Sequence, residues 1–407
     1  MVHVTVSDDI CPASVYNNSL TGDNPASVYN NSLTGDNPAS MYNNSLTGDN
    51  QTWLYPHNTN ITADSLFRTY TVYVVWSIIT SVGSVGNVIV IQTMYFHGDR
   101  SATSYYIINL ALTDLAFILI VVPFTLSMFI THDWLFGNGI CKLVMYMIYV
   151  TLQATCLTLT AMAIDRYFAI VHPIKSINSR TPQMSIMISV GIWVASLCLS
   201  IPFLLFNKEV TEDGQHTYCR DDWPNETWRK GVALAVVMTT YVIPLTIIIV
   251  CYTQILKHIS RRRIRITEEN EQLSPNELQT NQRERYRKKV TKMVAIVVIL
   301  FASLWLPIHV FNLCVFYLPG FPKTSLMLDL KVVALTLCYS NSCVNPFVYA
   351  FHGDGFRRAF RKSLASCARN NRVRPVVQSE AWHTNDGRDI RGPVRSRVTG
   401  YSSTTGL

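Results

Sequence analysis

The sequence predicts an all-α membrane protein: a seven-transmembrane helix bundle followed by a short amphipathic eighth helix. Three observations carry this. Of 407 residues, 49% are hydrophobic and only 15% are charged, well under the roughly 25% usual in soluble domains. Mean hydropathy is positive, at +0.18. The apolar residues gather into seven long runs, at about 70–96, 103–130, 138–171, 183–205, 230–257, 289–318 and 325–351. Each is long enough to cross a hydrocarbon layer of roughly 30 Å, which takes about 20 helical residues. Helices are required because lipid offers backbone N–H and C=O groups no partner. These values exclude disorder, collagen and a disulfide scaffold as descriptions of the whole chain.

Residues 1–69 form a tail ahead of the first run. The unit PASVYNNSLTGDN occupies 12–24, recurs at 25–37, and returns with one change at 38–50. Its Asn, Ser, Gly, Asp and Pro content cannot bury a core, so the tail reads as a disordered stalk. Glycosylation sequons start at Asn17, Asn30, Asn43, Asn50 and Asn60, and a sixth at Asn225 between runs four and five. The start, MVHVTVSDDI, lacks a basic region before an apolar core, so no cleavable signal peptide is expected and the first run serves for insertion.

The net charge of +8, from 34 basic and 26 acidic residues, is clustered. Arg68 is the sole Lys or Arg in residues 1–69, whereas the segment between runs five and six is crowded with them, as is Arg357-Arg358 with Arg361-Lys362. The excess of Lys and Arg marks the cytosolic side. The N-terminus is therefore expected outside, the C-terminus in the cytosol, and the whole in the plasma membrane. Attraction to membrane lipids suits the basic clusters, and no nucleic-acid partner is expected.

Polar residues inside the runs are costly and so invite functional readings. Asp114 in run two has Asn87, Thr155, Asn341, Ser342 and Asn345 as prospective neighbours. Oxygen ligands around one carboxylate suit a hard cation, and an allosteric sodium ion is the expected occupant. A polar core that only fixes helix packing is the alternative. Asp165-Arg166-Tyr167 ends run three, and Pro244, Pro307 and Pro346 lie within runs five, six and seven, where proline permits pivots.

Taken together, the GN of run one, LALTD, Cys141, the Asp165-Arg166-Tyr167 triplet, Trp193, Pro244, FASLWLP and NPFVY resemble the rhodopsin family (class A) of G-protein-coupled receptors over about residues 70–367. The resemblance implies a Cys141–Cys219 disulfide. It implies an Arg166 held by Asp165 at rest that swings to Tyr252 and Tyr349 on activation, and a rotamer-sensitive Trp305 beside Phe301 and Pro307, with Asn345, Pro346 and Tyr349 on run seven. Many relatives lock that arginine with an acid at the start of helix six. Here the stretch is Arg285-Tyr286-Arg287-Lys288-Lys289, which suggests a looser resting state.

Ile148 stands where amine receptors carry an aspartate, and Tyr339 where opsins carry a lysine, so neither class fits. VTLQATCLTLTAMAIDRY, INSRTP and CYSNSCVNPFVYAF resemble kisspeptin receptors, and WLPIHV with FPKT resembles galanin and allatostatin-A receptors. The implied ligand is an extracellular amidated neuropeptide ending in Arg-Phe-amide, with coupling through Gq, phospholipase C and calcium. A galanin or allatostatin-A type receptor coupled to Gi is the alternative. Candidate contacts are Tyr149, Gln153, Asp222, His309, Asn312 and Tyr339, with further acids at Glu209, Asp213, Asp221 and Asp329.

On the cytosolic side, residues 352–367 should form the amphipathic eighth helix, lying along the membrane with Cys367 placed for palmitoylation. Residues 368–407 read as a disordered tail whose Ser402, Ser403, Thr404 and Thr405 would serve receptor kinases and arrestin. A transporter or channel would need inverted repeats or rings of charge, and an enzyme a catalytic set such as H-E-x-x-H. The sequence contains neither, so no enzyme activity is expected.

Overall fold

The computed structural model describes residues 63–174, 176, 180–212, 216–268, 275–322 and 324–370, and side chains within 68–261 and 285–366 of these. Five of the six sequons lie outside the described residues, as do the tail repeats and residues 371–407. The chain divides into two units, 1–365 and 366–407, and all that follows concerns the first.

Among the described residues, seven helical spans are long and apolar enough to cross a membrane, with mean hydropathies of 1.2 to 2.5. In chain order the elements are α1 (Ala63–His97), α2 (Ala102–Ile120), α3 (Val122–Thr131), α4 (Gly137–Val171) and α5 (Pro182–Leu205). Then come a hairpin of β1 (Asn207–Glu212) and β2 (His216–Asp221), α6 (Glu226–Val237), α7 (Ile243–Glu268), α8 (Pro275–Tyr317), α9 (Ser325–His352) and α10 (Asp354–Asn370). Spans two and five each combine two elements, α2 with α3 and α6 with α7. The hairpin marks one end of the bundle and α10 the other, called here the basic end. The central helix is α4, buried along most of its length among α2, α5, α7 and α8.

Several boundaries differ from the sequence reading. Run two is interrupted at Val121, because Pro123 at the start of α3 lacks an N–H and its ring crowds the preceding turn. Span five carries a π-helical turn, Met238–Val242, just ahead of Pro244. The helices flanking the basic segment between runs five and six extend well past the apolar stretches, to Glu268 and from Pro275. Hydropathy loses a helix once its residues turn charged, although the backbone continues.

The hairpin pairs Glu209 with Cys219 and Asn207 with Asp221, and the Cys141–Cys219 disulfide ties it to the start of α4. Trp134 N–H donates to Thr217 O at 2.6 Å, and Asp133 accepts from Thr217 N–H at 3.0 Å. At His132, which closes α3 in the left-handed region (φ 62°), burial lowers the imidazole below its ordinary range.

Proline shapes the contact between α1 and α9. Pro346 cannot bond the carbonyl of Ser342, and Asn87 Nδ2 donates to that oxygen instead, at 2.8 Å. A side chain at Gly86 would meet the Pro346 ring at 3.0 Å, so a residue without one is what lets the two helices close. α10 buries Phe356 and Ala359 against the bundle while Arg357 and Arg358 face outward, the amphipathic pattern expected, two residues later than anticipated at its start.

Candidate functional site

Three layers of side chains line the bundle from the hairpin end to the basic end. The first is a narrow cavity of about 20 Å³ walled by Tyr149 of α4, Phe203 of α5, Trp223, Arg229 of α6, and His309, Asn312 and Phe316 of α8. Tyr149 stacks on Phe203 with ring centroids 3.3 Å apart. His309 is buried, and neither ring nitrogen has a hydrogen-bond partner among the described residues. Asn312 sits one helical turn away on the same wall.

The wall also contains a buried ion pair. Arg229 Nε lies 3.1 Å from Asp221 Oδ2, with side chains 4% and 0% exposed. The guanidinium also reaches Glu226 at 3.3 Å and lies over the Phe316 ring at 5.1 Å. It therefore joins β2, α6 and α8. Asp222, an acid among the candidate contacts, turns outward to an exposed pair with Lys208 at 2.7 Å.

Of the candidate contacts, the structure thus brings Tyr149, His309 and Asn312 together. Gln153 lies deeper, donating to Thr239 O at 3.5 Å. Tyr339 is buried on the far side, donating to Thr125 at 3.3 Å and packed on Trp76. Asp329 pairs with Arg68, while Asp213 falls outside the described residues. Asn225 caps α6 with its side-chain oxygen, which accepts from Trp228 N–H at 2.9 Å.

The second layer is an aromatic column leading to a polar core. Tyr241, His309, Trp305 and Phe301 follow one another at centroid spacings of 5.0, 5.9 and 5.9 Å. Tyr241 donates to Ala302 O at 2.8 Å, in the turn that precedes Pro307. Beneath them Asp114 is buried and accepts from Asn345 Nδ2 at 2.8 Å. Thr155, Asn341 and Ser342 are also buried, and Asn87 Oδ1 has no partner among the described residues. Asn109, which sequence reasoning passed over, bridges three helices: it donates to Thr158 at 2.7 Å and accepts from Trp193 at 2.9 Å.

The third layer is the Asp165-Arg166 pair. Asp165 binds Arg166, which also reaches the Thr103 hydroxyl on α2. A second guanidinium, Arg180, grips the same carboxylate through Nε at 2.7 Å and Nη2 at 3.0 Å. Nothing in the sequence marked Arg180 beyond its place in INSRTP. Tyr252 donates to Thr291 O at 3.3 Å, and the buried Tyr349 hydroxyl has no partner among the described residues. In place of an acid–base lock to α8, Arg287 donates to Ala169 O at 3.2 Å. A cavity of about 570 Å³ opens here, lined by Arg166, Ala169, Tyr286, Arg287, Met293 and Gly355 among others.

Comparison with known proteins agrees with this arrangement. Residues 86–349 match the family described as 7 transmembrane receptor (rhodopsin family). The chain is 36% identical to G-protein coupled receptor 54 of Oreochromis niloticus, covering 76% of this chain and 86% of that protein. It is 37% identical to the KiSS-1 receptor of Homo sapiens, over 70% of this chain and 72% of the relative. Galanin receptor type 1 of Rattus norvegicus is 30% identical over 72% of this chain and 82% of its own length. The ordered motifs, the seven spans and these relatives agree: the chain belongs to the rhodopsin family of seven-transmembrane receptors, and is a receptor and not an enzyme.

Proposed function

We propose that the chain is a plasma-membrane receptor for an extracellular amidated neuropeptide of the kisspeptin-like, Arg-Phe-amide type. Agonist binding at the hairpin end favours a second conformation that activates heterotrimeric G proteins at the basic end, with Gq, phospholipase C and calcium as the route. The free energy comes from the ligand's differential affinity for two conformations.

The observation that carries this is the continuous column of tilted rings from His309 through Trp305 to Phe301, which leads from the hairpin-end cavity toward the polar core. Two aromatic walls and an amide-bearing Asn312 suit an aromatic, amidated terminus. Asp221 is already neutralised by Arg229, so a peptide guanidinium must displace Arg229 or find another acid. In this reading Arg166, held by Asp165, is in its resting place, and activation would move it toward Tyr252 and Tyr349. The 570 Å³ cavity beside it is where a G protein would insert.

The chemistry of the polar core suits a sodium ion: the carboxylate of Asp114 is buried and has a neutral partner in Asn345, and Thr155 and Ser342 are buried hydroxyl residues. Asp114, Thr155 and Ser342 would hold the ion, and its charge would offset that of the carboxylate. The N-terminus is placed outside, with glycans on Asn17, Asn30, Asn43, Asn50, Asn60 and Asn225. Receptor kinases, arrestin and an acyl chain on Cys367 are assigned to the cytosolic side.

Galanin relatives at 30–33% identity support a second reading, a galanin or allatostatin-A type receptor coupled to Gi. Nucleotide exchange on purified Gq and Gi heterotrimers, with a panel of C-terminally amidated peptides and their free-acid forms, separates the two. Exchange on Gq with Arg-Phe-amide peptides alone supports the first reading. Exchange on Gi with galanin-type peptides replaces it with the second, and silence throughout would remove both.

A further inference from the structure

A second large cavity, about 610 Å³, opens on the flank of the bundle near the basic end. Its walls are α2, α4, α5 and the connection between α4 and α5. Ile164, Phe168, Met184 and Ile188 line it and are also exposed on the outer surface of the bundle, so it opens sideways. At about 1.5 Å per helical residue, Ile188 lies about 9 Å into α5, and Ala161 about 15 Å from the end of α4. The slot therefore runs from the helix ends into the depth occupied by acyl chains.

The rim has a different chemistry. His172, Ser176 and Arg180 lie at the loop end of the slot, beside Asp165. Two guanidiniums, Arg166 and Arg180, share that single carboxylate, leaving one positive charge in excess. Arg180 carries it on the open side: its side chain is 23% exposed against 5% for Arg166. An apolar slot open to the bilayer with a cationic rim at the interface complements an anionic amphiphile.

We propose that this cavity binds an anionic lipid of the adjoining leaflet, its headgroup on Arg180 and one acyl chain between α2, α4 and α5. Such a headgroup competes with Asp165 for the Arg180 N–H groups. Asp165 is then left to Arg166 alone, which strengthens the hold on Arg166. The bound lipid thus damps the receptor; only this second step rests on the switch assigned above.

The test uses the full chain in nanodiscs of phosphatidylcholine with a minor fraction of phosphatidylglycerol, one or the other carrying a diazirine in its acyl chain. Photolabelling mapped by peptide mass spectrometry should mark Ile164, Phe168, Met184 and Ile188. The anionic probe should be favoured about fivefold, the effect of one basic side chain beside an anionic lipid. Arg180→Gln should bring the two probes level, Arg180→Lys should keep the preference, and Ile188→Trp, which fills the slot without touching the ion pairs, should lower labelling by both. Equal labelling of the unaltered chain, a preference that survives Arg180→Gln, or labels elsewhere would overturn the site. So would loss of labelling on adding inorganic phosphate, which would mark a free-anion site instead. Basal nucleotide exchange should fall on adding phosphatidylglycerol and hold steady in Ile188→Trp. Exchange that ignores the lipid while labelling persists overturns the damping step alone, and leaves the peptide reading untouched.

Discussion

Asp165 receives two guanidiniums, one from its chain neighbour and one from the far side of a loop. Removing Arg166 should abolish the coupling between the two ends and leave the hairpin-end cavity whole. We expect Arg166→Ala to lower agonist-stimulated nucleotide exchange by about 5- to 150-fold, the span of ordinary coupling free energies, with peptide affinity little changed; intact exchange would refute the switch. The Arg229–Asp221 pair makes a different prediction. Breaking a nearly fully buried pair strands one charge, so Arg229→Met should cost about 3–5 kcal/mol, and Arg229→Met with Asp221→Leu much less. Thermal unfolding in detergent measures both, and equal losses would contradict the pairing. Asp114→Asn should reduce the sodium dependence of agonist affinity, and unchanged dependence would return Asp114 to a packing role.

Elements, more than residues, were legible in the sequence. All seven spans and the amphipathic helix were readable because lipid demands long apolar helices and charge ends them. The hairpin was not: NKEVTE and HTYCRD have no continuous apolar face, and their pairing is set by a disulfide and by contacts with Trp134 and Asp133. Arg180 and Arg229 were missed for a related reason, since each acts on a carboxylate that only folding brings near. The motif residues were legible because their spacing along single helices survives folding unchanged. At this scale Gly86→Val should force α1 from the rigid Pro346 ring and cost about 1–3 kcal/mol. An unaltered melting temperature would show that the helices yield. The α8–α10 tie is gentler. Hydrogen bonds from Lys289 and Arg357 hold Asp354 below the ordinary carboxylate range. Its contribution is therefore present at neutral pH and lost only as pH falls through that lowered value. Because both cations are largely exposed, Asp354→Asn should cost no more than about 1 kcal/mol.

For the molecule as a whole, the bundle is tied at the hairpin end by the Cys141–Cys219 bond, across 78 residues of chain, and left open at the basic end by a cavity of about 570 Å³. One end is therefore braced covalently, while at the other the cavity leaves room for the side chains that line it to move. Cys141→Ser should cost about 2–5 kcal/mol and reduce peptide binding, read by radioligand saturation on intact cells. Full binding by that variant would show that the hairpin keeps its place without the bond.

The π turn at Met238–Val242 holds one residue more than an α-helix of the same length. Everything ahead of it on α6 is offset in angle by about 100°, the rotation per helical residue. Shortening that turn by a single residue would swing the Arg229 guanidinium around the helix axis and away from Asp221. The aim of a charge at the mouth of the bundle is thus set by an irregularity three turns below it, where no ligand need reach.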